Sequence, residues 1–82
     1  MHTVEMLEQA LSLVAQLGYQ VRQESLGGAG GGECEVKGRK IYFLDLDLGP
    51  DEQLEQLLEM LRREPEAAGL PISSAMRDLL KP

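Results

Sequence analysis

The sequence predicts an α+β fold: a three-stranded antiparallel meander with helices packed on one face, in the order α-β-β-β-α-α. Three observations carry this. Apolar residues recur at helical spacing at both ends of the chain, they alternate with polar ones in the middle, and glycine and proline fall at the changeovers.

Residues 4–17 read as an amphipathic helix. Val4, Leu7, Leu11 and Val14 recur at helical spacing, and Ala10, Leu13 and Leu17 widen the stripe. Thr3 suits the N-cap, Glu5 and Glu8 suit the positive end of the helix dipole, and Gly18 is placed to end the helix. From Tyr19 to Ser25 the residues alternate, with Tyr19, Val21 and Gln23 on one side, as in a half-buried strand.

The glycine-rich stretch 27–32 is a connection to a second strand, Glu33 to Val36, and a third, Lys40 to Leu44. Lys37-Gly38 has the length and the glycine of a two-residue hairpin turn. That turn sets Val36 opposite Arg39, Glu35 opposite Lys40 and Cys34 opposite Ile41. A turn at Gly38-Arg39 would oppose Lys37 to Lys40, and like charges directly opposite are unfavourable. Gly49 and Pro50 open the second long helix, in which Leu54, Leu57, Leu58 and Leu61 are the buried stripe, Arg62 and Arg63 close the negative end, and Pro65 is the stop. A short helix follows from about Pro71 to Leu80. The expected core is Leu7, Leu11, Val14, Val21, Cys34, Val36, Ile41, Phe43, Leu54, Leu57, Leu58 and Leu61.

Composition narrows the function. Eighty-two residues make one small domain, and with one cysteine an internal disulfide is impossible, so a partner chain is the expected support for its thin core. The formal charge of −6 leaves Lys37, Arg39 and Lys40 as the largest basic cluster, a poor footprint for nucleic acid. Met1 to Glu5 lacks the basic start and apolar run of a signal peptide, and no stretch has the length of a membrane span, so a cytoplasmic location is expected.

No catalytic residue, metal site or cofactor is expected. Gly27 and Gly32 match the outer glycines of a phosphate loop, but Glu33 stands where the lysine belongs and a strand follows instead of a helix. A weaker reading keeps a small-anion or nucleotide site built from Gly28, Gly30 and Gly31 with Lys37, Arg39 and Lys40. Asp45 and Asp47 share a strand face without an evident third ligand. The preferred reading is that one of them caps the Gly49-Pro50 helix. His2 sits at the terminus, Cys34 is expected in the core as an inert thiol, and Ser73-Ser74 reads as a helix start. The element order resembles the fragment preceding the zinc-binding helix of metallopeptidases, but that helix needs His-Glu-x-x-His. Here it reads Glu52-Gln53-Leu54-Glu55-Gln56-Leu57-Leu58, without a histidine, so that activity does not carry over.

The third strand departs from simple alternation. With Ile41 and Phe43 given to the core, Tyr42, Leu44 and Leu46 form an apolar row on the other side of an edge strand, which needs a cover: a second copy of the chain, a different protein, or the terminal helix 71–80 folded over it. The expectation is a non-enzymatic interaction or homodimerisation module using Tyr42, Leu44 and Leu46.

Overall fold

The computed structural model describes residues 3–81. Among these the chain runs through helix α1 (Thr3–Gln16), strands β1 (Gln20–Glu24), β2 (Gly32–Val36) and β3 (Arg39–Asp45), and helix α2 (Pro50–Arg62). A 3-10 turn (Pro65–Gly69) and the short helix α3 (Ser74–Leu80) complete it. The α+β class and the element order match the expectation; the strand arrangement does not.

Helix α1 buries Met6, Leu7, Ala10, Leu13 and Val14. It ends because Gly18 takes a positive φ of 96°. Its N–H then reaches the Ala15 carbonyl at 3.0 Å and the Tyr19 N–H the Val14 carbonyl at 3.2 Å, so the last carbonyls are satisfied as the chain turns into β1. Helix α2 starts at Pro50 after Gly49, which makes no side-chain cap, and buries Leu54, Leu57, Leu58 and Leu61 as expected, with Gln53 and Met60 added. At α3, Ser73 is the N-cap: its hydroxyl oxygen accepts the Met76 N–H at 3.1 Å.

The sheet order is β1-β3-β2, so the strand made last lies in the middle. The hairpin has the expected register, with Val36 opposite Arg39, Glu35 opposite Lys40 and Cys34 opposite Ile41. Strand β1, however, pairs with β3 in parallel, Gln20 opposite Ile41 through Glu24 opposite Asp45. The antiparallel meander is therefore corrected to a mixed sheet. Residues 25–38 supply the crossover of a dozen or more residues that parallel neighbours need, and their first part, 25–31, bridges β1 to β2 across the end of β3.

Helices α1 and α2 pack on one another and therefore on the same side of the sheet. Tyr42 and Leu44 belong to their core, with Val21 packed against it; Ile41, Phe43, Cys34 and Val36 do not. The expected inner and outer faces of β3 are thus reversed. Tyr42 is 1% exposed and Leu44 4%, buried by the chain's own helices. Both rows of β3 are apolar, so its own pattern cannot choose between them. The inner row is chosen by β1, where Val21 pairs with Tyr42 while Gln20 and Arg22 pair with Ile41 and Phe43.

Candidate functional site

Two features stand out: the arch of residues 25–31 at the end of β3, and the sheet face opposite the helices. The arch has to pass over the last residue of β3, and that residue is Asp45, 1% exposed. A buried carboxylate is tolerable only when hydrogen bonds replace its water. Here the arch supplies them. Asp45 Oδ1 accepts the Leu26 N–H at 3.0 Å and the Asp47 N–H at 2.9 Å, and Oδ2 accepts the Gly30 N–H at 2.9 Å. Burial alone would push the Asp45 carboxyl up, but the N–H groups of Asp47, Leu26, Gly30 and Gly28 outweigh it and hold the group below its ordinary value. Gln53 Nε2 donates to the Asp45 carbonyl at 2.8 Å and ties the same residue to α2.

The rest of the arch is fixed in the same way. Asp47 Oδ2 accepts the Gly27 N–H at 2.8 Å and Gln56 Oε1 the Gly31 N–H at 3.4 Å. Gly31 is there because nothing larger fits: a Cβ on it would lie 1.7 Å from the Phe43 carbonyl oxygen. The stretch 27–32 is a connection between strands as expected, and it is also clamped at both ends by side chains of residues 45–56.

The same geometry bears on two of the expected sites. An anion cradle needs free amides, and those of Leu26, Gly27, Gly30 and Gly31 are spent on Asp45, Asp47 and Gln56. Nor do the proposed halves meet: Lys37, Arg39 and Lys40 lie at the start of β3 and Gly28, Gly30 and Gly31 at its end, some 20 Å away at about 3.3 Å per residue. The Lys40 ammonium sits instead 4.6 Å over the Tyr19 ring, and the Tyr19 hydroxyl donates to Glu64 at 2.9 Å. Neither Asp45 nor Asp47 caps α2, and among the described residues no three acidic, histidine or cysteine side chains cluster as metal ligands. His2 lies outside the described residues.

Of the expected interface residues, Tyr42 and Leu44 are core, and Leu46 alone is on the surface, 50% exposed. The row that the helices leave outside their core is the other one. Phe43 is half-buried, Val36 is 46% exposed, and Cys34 is an exposed free thiol rather than a core group. Ile41, at 9%, lies at the centre of the face. Arg22 lies 5.7 Å over the Phe43 ring and pairs with Glu24 at 2.7 Å. A shallow groove of about 360 Å³ runs between Phe43, Cys34, Leu26 and the glycines at the foot of the arch.

No family model, curated protein or solved structure is similar to this chain. Among the described residues no helix is long and apolar enough to cross a membrane.

Proposed function

We infer that the chain is a non-enzymatic protein-interaction module that pairs with a second copy through the open face of its sheet. The observation that carries this is the one-sided cover: α1 and α2 bury Tyr42 and Leu44, while Phe43, Cys34 and Val36 on the reverse side stay outside the core. A row of this kind on a central strand favours a partner. The face also complements itself. By strand parity it carries Arg39 at one end and Glu24 at the other, so two sheets stacked antiparallel bring each Arg39 to the partner's Glu24.

Its size sets the strength. Three strands about 4.8 Å apart and five to seven residues long make a face of roughly 14 by 20 Å. This is well under the roughly 800 Å² per partner of a standard interface. The self-association is therefore of the weak, concentration-dependent kind, to be sought at chain concentrations from about 10 μM to 1 mM. Sedimentation velocity across that range tests it. The weight-average mass rises towards two chains, and Phe43→Asp, outside the core cluster, returns it to one. A one-chain mass throughout, or a dimer indifferent to Phe43→Asp, overturns the reading.

A further inference from the structure

Away from that face, Tyr42 holds a polar group that the fold does not use. Its ring is buried at 1% exposure, yet its hydroxyl is buried without a hydrogen-bond partner among the described residues. Such a group is unfavourable until something meets it. Tyr42 lines a cleft of about 280 Å³ between β2 and α2, whose walls include Gly32, Glu33, Gln56, Glu59 and Arg63. Burial pushes the phenol up to about 12, with Glu33 adding and Arg63 opposing, so the hydroxyl feels both wall charges and remains a neutral donor at pH 7.

The charges are arranged for two signs at once. Glu59 in the last turn of α2 and the C-cap residue Arg63 are i,i+4 neighbours, the spacing at which such a pair ordinarily closes on itself. Arg63 instead reaches across to β2, its Nη2 donating to Glu33 Oε1 at 2.6 Å, and the Glu59 carboxylate has no partner among the described residues. That strap is exposed on both sides and opens at little expense. A guanidinium has five donors, and one of them is used here. A simple anion meets Glu33 and Glu59, and a simple cation meets Arg63. A ligand carrying both charges on one carbon meets neither objection.

We propose that this cleft binds a small zwitterion of the α-amino-acid type, its carboxylate on Arg63 and the Tyr42 hydroxyl, its ammonium on Glu59. The site lies on the α2 side of the sheet and shares only Gly31, Gly32 and Glu33 with the groove on the self-association face. The test is an amide-shift titration of the full chain with glycine, leucine and glutamate in turn, with sodium acetate and methylammonium chloride at matched ionic strength as the two half-ligands. At least one amino acid gives saturable shifts at Gly31, Gly32, Glu59 and Arg63 with millimolar Kd, and neither half-ligand saturates. Tyr42→Phe, whose folded state is checked in the same spectra, weakens binding about tenfold, as expected for one buried hydrogen bond to a charged group. Arg63→Gln removes it. Failure of all three amino acids to saturate overturns the proposal. So does an acetate or methylammonium response equal to the whole, or a Tyr42→Phe chain that binds as the parent does.

Discussion

Replacing Gly31 with alanine tests the arch most directly. The added Cβ would stand 1.7 Å from the Phe43 carbonyl oxygen, 2.6 Å from its carbon and 3.4 Å from the Leu44 nitrogen, all backbone atoms of the central strand. Carbon and oxygen approach no closer than about 3.3 Å, so arch and strand have to part by more than an ångström. Overpacking a well-filled site costs about 1–3 kcal/mol. With backbone on the receiving side the upper end applies, about 3 kcal/mol, or a fall in Tm of roughly 12–24 °C for a domain this size. Gly28 is the internal control. It has φ of 79° but nothing within 4 Å of a Cβ, so alanine there meets only the left-handed backbone penalty of about 1–2 kcal/mol. Urea unfolding followed by far-ultraviolet circular dichroism gives both numbers. A change of less than about 0.5 kcal/mol for Gly31→Ala, or an equal cost for Gly28→Ala, refutes the steric clash between arch and strand.

Three further outcomes follow from the burial and the charges. Asp45 has its folded carboxyl below the unfolded value, so its contribution is complete above about pH 4 and is lost as pH falls through the folded pKa; Asp45→Asn removes that part of the acid sensitivity, and urea midpoints at neutral and acid pH with equal slopes in both proteins would contradict this. Tyr19 and Tyr42, the two tyrosines of the chain, are both pushed up to about 12, chiefly by burial. Raised phenols hold their stabilisation below about pH 10 and lose it as pH climbs through 12. Tyrosinate absorbance of the native protein accordingly stays flat near pH 10, and a normal titration there rejects the burial. Finally, Leu44→Asp places an unpaired charge in the core and destabilises by about 4 kcal/mol or more, whereas Leu46→Asp, half exposed, stays within about 0.5 kcal/mol; thermal melts of the pair decide it.

The helices and the hairpin were legible in the residues because each rests on local chemistry. The leucine stripe of α2 and the Lys37-Gly38 turn with Glu35 facing Lys40 are short-range signals, and both are found. The strand order was not legible, because nothing local states whether β1 joins the near or the far edge of a hairpin. The inner face of β3 was not legible either, for a specific reason. Strand β2 is an outer strand whose residues 33–36 are all exposed, so its Glu-Cys-Glu-Val alternation says nothing about what the helices cover. Val21 of β1 faces the core as expected, but it turns Tyr42 inward only through the parallel β1–β3 register, which no local signal states. The role of Asp45 did have a signal: a lone acid at the end of an apolar strand, in a chain with an unexplained run of glycines, is a carboxylate in need of amides. Tyr42 and its cleft had none, since Glu33 and Arg63 meet only in space.

The insertion of β3 between two strands made before it orders the assembly of the sheet. Strands β1 and β2 have no ladder with each other, so a nascent chain that stops at Gly38 has strands but no sheet. Closing the hairpin joins positions three apart, a microsecond event, whereas setting Gln20 against Ile41 spans twenty-one positions. The hairpin is thus the short loop closure and the β1–β3 ladder the long one, and the Asp45 clasp, whose donors Leu26 and Gly30 come from the arch, sits on the longer of the two.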